Sequence, residues 1–250
     1  MKPLFILLCT LLSISLISQN THIITAENGL ILRDKPNGEK IGNVPFGVEV
    51  NLVEKTEQTL SITDNGKEIS GHWVKVKFEN FPYMILYGDK IGYVFDGFLK
   101  EKKQLIEELN ATMRSFPELA KYTARTDNEP IYLKGDFFGD GVKDLAILVK
   151  DSNDNGNIAF IDYGKKDEIV FLAEPNDSMG YYAWVGIFEK VAKGTPLWSN
   201  YEEDFIEYKD VAKKDKVYLK YDAIFIHELE SCGGGFVYWK EGEFHWLQQE

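Results

Sequence analysis

The sequence predicts a mainly β protein: a small β-barrel, a linking α-helix, then a second antiparallel β-rich domain. Three observations carry this. Between residues 28 and 53, apolar and polar side chains alternate at period 2, interrupted by Pro36-Asn37-Gly38 and Pro45-Phe46-Gly47 turns. Leu105, Ile106, Leu109, Met113 and Phe116 then recur at helical spacing just ahead of Pro117. From residue 127 onward, short apolar runs again alternate with turn residues. Composition agrees, since 44% apolar and 14% aromatic residues suffice to fill a core and exclude a disordered chain. A length of 250 residues favours one or two domains.

The first element is a leader. Met1-Lys2-Pro3 is a short basic start, residues 4–17 are an apolar run, and Ser18-Gln19-Asn20 is a small polar exit. This is the layout of a secretory signal peptide, expected over residues 1–19 and too short to be a spanning helix. Cys9 lies mid-run behind Ile6-Leu7-Leu8, which does not suit a lipid-anchor site. The expectation is therefore an exported protein, periplasmic or secreted, with no membrane span after cleavage. Cys9 departs with the leader, which leaves Cys232 alone and no intramolecular disulfide to form. The net charge is −12, and losing Lys2 makes the remainder more acidic still. Nucleic acid and anionic lipid, which need clustered Lys and Arg, are excluded as partners.

The barrel comes next. Leu30 and Leu32, then Ile41 and Val44, then Val48, Val50 and Leu52 mark successive strands. They are followed by His72-Trp73-Val74-Lys75-Val76-Lys77-Phe78, by Lys90-Ile91-Gly92-Tyr93-Val94, and by a closing Phe98-Leu99. With Gly29-Leu30, Leu32-Arg33, Pro36, Ile41-Gly42 and Gly47 at their places, this succession resembles a bacterial SH3-like (SH3b) domain over residues 26–99. The resemblance implies an SH3-like β-barrel that recognises a cell-wall peptide or a protein segment without catalysis. It also implies a groove of exposed aromatics, here Trp73, Tyr83, Tyr87 and Tyr93. Two additions depart from a minimal module. Residues 54–70 are longer than a minimal turn and contain an Asp64-Asn65-Gly66 turn signal of their own. Residues 80–88 are strongly apolar and are expected to pack on a neighbouring domain.

The linking helix is expected within residues 100–122, its apolar stripe a packing face between the two domains. The second domain, residues 127–250, shows strand patterns at 131–134, 145–150, 158–163, 168–173, 217–221, 223–228, 236–239 and 244–247. The segment from 181 to 208 reads as irregular, and a hairpin turn is expected between Trp239 and Phe244.

Three stretches could carry chemistry. Asp136, Asp140 and Asp144, with the carbonyl of Val142, match the calcium loop that this segment resembles in FG-GAP and VCBS-type repeats. Calcium wants six to eight hard oxygen ligands, and Phe138 stands where that pattern has another oxygen donor. The competing reading has these aspartates capping backbone N–H groups in a turn ahead of a strand. Asp151 to Asp162 meets the spacing of an EF-hand loop, but strands flank it, so Asn155-Gly156 is read as a hairpin turn. Cys232 does not open a helix, the setting that activates a thiolate. Three glycines follow it, and His227 and His245 are its only nearby bases in sequence.

The function expected from these readings is an exported, non-catalytic binding protein. Its partner would be a cell-wall peptide or a protein segment, with no cofactor other than calcium. An inhibitor or immunity-type protein that blocks an exported toxin or hydrolase through an acidic face is the alternative. A cell-wall hydrolase using Cys232 is the disfavoured one.

Overall fold

The structure is a computed structural model that describes residues 21–64, 66–78, 91–165, 167–173, 182–199, 206–229 and 233–249. It is mainly β, with several antiparallel sheets and, among the described residues, one α-helix. The expected leader, the apolar segment at 80–88 and Cys232 lie outside the described residues.

Seven strands form the N-terminal sheet: Thr21–Ile24 (β1), Leu30–Arg33 (β2), Lys40–Val44 (β3), Glu49–Asp64 (β4), Lys67–Lys77 (β5), Ile91–Phe95 (β6) and Leu99–Glu101 (β7). Their order is β3-β2-β6-β5-β4-β1-β7, and the pairing path stays open instead of closing on itself. The sheet curls around a single core, because Ile24, Leu30, Leu32, Val44, Val50, Val76 and Val94 from six strands share one apolar cluster. Its edge strand β3 is short and carries an exposed Lys40, which discourages edge-to-edge pairing.

Residues 54–70, the first addition to the minimal module, are the outer part of a hairpin arm in which β4 and β5 pair as far as Asp64↔Lys67, around the Asp64-Asn65-Gly66 signal. Gly66 takes φ +76° at the tip, a conformation that costs glycine little. The sheet also begins earlier than residue 26. In β1, Ile24 enters the N-terminal core while Ile23 enters a second one, so both faces are buried and no alternation betrays the strand.

Lys102–Arg114 forms the helix, α1, with Leu105, Leu109 and Met113 buried along one stripe. That stripe meets Ile23 on one side and Leu145, Ile147 and Ile161 on the other. It packs between the N-terminal sheet and the rest of the chain, as its spacing suggested.

A second sheet comprises Thr123–Ala124 (β8), Tyr132–Gly135 (β9), Asp144–Lys150 (β10), Gly156–Asp162 (β11) and Glu168–Phe171 (β12). A third comprises Val185–Val191 (β13), and, after a short pair formed by Pro196–Leu197 (β14) and Val217–Tyr218 (β15), Ala223–Glu228 (β16), Gly234–Lys240 (β17) and Glu243–Gln248 (β18). Strand β10 is buried on both faces. Ile147 and Val149 point at α1, while Ala146 and Leu148 point at the third sheet with Phe160, Phe188, Ile224 and Ile226. The result is three layers, helix on sheet on sheet.

Strand β13 corrects the irregular reading of residues 181–208. A bulge between Val185 and Ile187 breaks its period. Val185, Ile187 and Phe188 are all buried, a spacing that matches neither strand nor helix. By contrast, the β17–β18 turn is where the sequence put it, with Lys240 paired to Glu243 and Glu241 and Gly242 both at positive φ.

Candidate functional site

Strand β5 has two faces. Val74 and Val76 point into the N-terminal core, so Trp73 and Lys75 point the other way. The register sets Phe95 opposite Trp73, Tyr93 opposite Lys75, and Arg33 opposite Tyr93. Directly opposed residues share a face, which places Arg33, Trp73, Lys75, Tyr93 and Phe95 together outside the core. The Arg33 guanidinium stands 5.9 Å from the Trp73 ring, and the Lys75 ammonium stands 5.9 Å from the Tyr93 ring. Phe98 meets Phe95 edge-on at 6.1 Å.

A groove of about 480 Å³ lies over this face. Trp73, Phe95 and Phe98 give it an aromatic lining, Leu60 and Ile62 of the arm form one wall, and residues 25–31 with Arg33 form the other. Arg33 is held in place by donating from Nη1 to the carbonyl of Gly38 at 2.6 Å. Trp73 is 4% exposed, and its indole Nε1–H is sealed from solvent without an acceptor among the described residues. A buried donor left unmade costs about 1–3 kcal/mol, so native structures rarely keep one without a reason.

Of the four exposed aromatics expected, Trp73 is instead buried, though it lines the groove, and Tyr93 shares its face farther along the sheet. Tyr83 and Tyr87 lie outside the described residues. Arg33, Phe95, Phe98 and Leu60 were missed by the sequence reading. The signal that finds them is the strand register, which no single strand reveals.

The aspartate loop is built as a set of turns. Asp136 Oδ1 accepts from the N–H of Gly139 at 2.8 Å, and Asp140 Oδ1 accepts from Val142 at 2.8 Å. Asp144 is 1% exposed and accepts from Phe137, Phe138 and Tyr163 at 2.9, 3.4 and 3.3 Å. Phe138, where the resembled loops have an oxygen donor, instead packs on Phe160, Trp239 and Phe244. Among the described residues, no group of three or more His, Cys, Asp and Glu could hold a metal ion. The three aspartates each accept from backbone N–H groups, as turn caps do. The 151–155 segment is likewise a hairpin turn, with Asp151 Oδ1 accepting from Asn153 and Asn155 at 2.8 and 3.0 Å.

Asp144 nevertheless has unusual electrostatics. It stands across from Asp162, one residue beyond the Leu145↔Ile161 pair, and both are 1% exposed. Asp162 Oδ2 has no hydrogen-bond donor among the described residues, and the Lys165 ammonium is 3.9 Å away. Burial, opposed by the Phe137 and Phe138 amides and reinforced by Asp162 and Asp140, pushes the Asp144 carboxyl up to about 6. A folded pKa above the unfolded one means that the protonated form stabilises the fold below about pH 4. This contribution is lost as pH rises through 6, and is worth up to about 3 kcal/mol. Asp144→Asn should therefore gain on the wild type by up to that amount between pH 4 and 7 in urea melts. Parallel stability–pH curves for the two proteins would contradict the buried carboxylate pair.

A second cavity, of about 420 Å³, opens where the N-terminal sheet meets the rest of the chain. Phe46 meets Tyr132 edge-on at 5.2 Å, and Gly47, at φ +80°, lies so close to Pro130 that a Cβ would sit 2.2 Å from the proline's Cβ. Lys102 bonds Glu49, while the Glu49 N–H donates to Glu129 at 3.1 Å. Burial draws the Lys102 ammonium below its ordinary value, against the pull of Glu129 and Asp127.

The two histidines near Cys232 in sequence are both engaged. His227 Nδ1 lies 2.6 Å from the Glu228 carbonyl, and His245 Nε2 lies 3.2 Å from that of Lys240. No family model, curated protein or solved structure matches this chain.

Proposed function

We propose that this protein is an exported, non-catalytic binding protein whose N-terminal sheet is an SH3-like module holding an extended peptide, from the cell wall or from a protein partner, in the Trp73 groove. The observation that carries this reading is the Trp73 indole. Its N–H is buried with no acceptor among the described residues, and Trp73 itself lines a groove with further aromatics and Arg33. An aromatic lining and one desolvated donor suit a peptide, which offers a carbonyl at every residue and apolar side chains between them. Export rests on the leader-like residues 1–19, and the SH3-like identity rests on the motif succession over residues 26–99.

The test is co-sedimentation of the mature chain with purified peptidoglycan sacculi, in calcium and in chelator, with muropeptide release read in the same tubes. Binding without release is expected, reduced at least about tenfold by Trp73→Ala, the usual scale for truncating a central aromatic anchor. Release of muropeptides would overturn the non-catalytic reading. Unchanged binding by Trp73→Ala would remove the groove from it.

A further inference from the structure

Strand β18 ends the third sheet, whose order is β13-β16-β17-β18, and among the described residues no strand pairs with its far side. An open edge invites pairing with another chain, and native sheets blunt such edges with lysine, proline, bulges or short length. Other edges here are blunted. Strand β3 carries Lys40, β7 is three residues long, β12 is four, and β13 is bulged between Val185 and Ile187. Strand β18 has none of these devices. Its six residues pair with β17 in unbroken register, they include no proline or lysine, and Trp246 among them is 43% exposed.

The pairing with β17 decides which backbone groups face outward. In an antiparallel pair, opposed residues alternate between those that exchange hydrogen bonds and those that do not. The Gln249 N–H donates to the Gly234 carbonyl at 3.0 Å, so Leu247, His245 and Glu243, at alternate positions before it, also bond to β17. Phe244, Trp246 and Gln248 therefore aim N–H and C=O away from the sheet. These three are spaced evenly about Trp246. A second β18 laid antiparallel across a two-fold axis at Trp246 sets Trp246 against Trp246 and Phe244 against Gln248, which pairs every outward group of both strands. An axis at His245 would instead put Gln248 opposite Gly242, beyond the strand. Side chains fit the Trp246 axis as well. Directly opposed residues share a face, so the exposed indole meets its twin on one side. On the other, His245 meets Leu247 and Glu243 meets Gln249, with no like charges opposed.

From this edge we propose that the partner of β18 is a second copy of the chain. Two molecules join antiparallel through β18 about Trp246, making one continuous sheet out of two four-stranded ones.

The test is sedimentation equilibrium of the mature chain over a range of concentrations, for the wild type and for Trp246→Pro. Proline at an edge position deletes an outward N–H and leaves the bonds to β17 alone. The wild type should be a dimer that dissociates on dilution. Trp246→Pro should weaken that dimer by about tenfold or more, on the scale of the two bonds lost across the axis. Hydrogen exchange on the wild type tests the same edge without any variant. The Phe244, Trp246 and Gln248 amides should gain protection as concentration rises, while those of His245 and Leu247 stay protected throughout. A chain that is monomeric at every concentration would overturn the proposal. So would a dimer that Trp246→Pro leaves intact, a dimer whose outward amides gain no protection, or open-ended assembly in place of a closed pair.

Discussion

Alanine at Phe160 should destabilise the protein by about 3–5 kcal/mol, the range for emptying a large aromatic site in a core that only partly collapses. Phe160 has no exposed surface and sits on β11 where the second sheet faces the third. Its ring lies 4.3 Å from Phe244, 5.5 Å from Phe137 and 6.1 Å from Phe138, so it touches β18 and the aspartate loop at once. Phe138 and Phe244 also pack on Trp239, at 4.8 and 4.9 Å. Removing the central ring leaves the remaining three around a void, and each loses an edge or stacking partner. Phe160→Leu, which keeps most of the volume, should cost under half as much. Urea denaturation followed by tryptophan emission measures both. A loss below about 1 kcal/mol for the alanine variant would mean that the two sheets do not meet there.

Arg125→Ala should cost about as much, 3–5 kcal/mol on the scale of breaking a buried charge network. The guanidinium is 6% exposed, and all three of its nitrogens donate within the protein. It clasps Asp127 with Nε and Nη2 at 3.1 Å each, and donates to Asn128 at 2.7 Å, to the Tyr182 carbonyl at 3.0 Å and to the Val185 carbonyl at 3.3 Å. Asn128 donates to the same Val185 carbonyl at 3.0 Å. These bonds fasten the start of β13 to the segment after β8, next to the bulge that disguises that strand. Alanine would remove the donors that Arg125 gives to the Tyr182 and Val185 carbonyls and release the strand end. Lysine should restore little, because a single ammonium cannot reproduce the planar fork. Hydrogen exchange of the β13 amides checks the location: they should lose protection before those of β10 do. Uniform loss across both would contradict a local clasp.

What was legible in the sequence follows from which elements answer to local rules. The apolar runs of β10 and β11, the hairpins at Asn155-Gly156 and Glu241-Gly242, and the stripe of α1 all declare themselves over a few residues. Strands β1 and β13 do not, one buried on both faces and the other bulged. Trp73 stood out as an aromatic in a strand. That it faces away from Val74 and Val76, into a groove with Phe95 and Arg33, depends on pairings with β6 and β2. Arg125 is the clearest limit. Its burial depends on carbonyls of residues 182 and 185, nearly sixty positions on, and nothing near Arg125 in the chain announces them. The aspartate loop shows the converse. The oxygen missing at Phe138 was visible, and the structure supplies its reason, since that ring belongs to the aromatic core.

The recognition groove is tested most directly at its unmatched donor. In a ¹⁵N-labelled sample, the indole N–H signal that disappears in Trp73→Phe identifies Trp73, and solubilised muropeptides are then titrated in. The account predicts that this signal moves downfield and saturates with the binding isotherm, as an unmatched N–H acquires an acceptor. A signal that stays fixed while other resonances report binding would contradict it, and would place the ligand elsewhere on the protein.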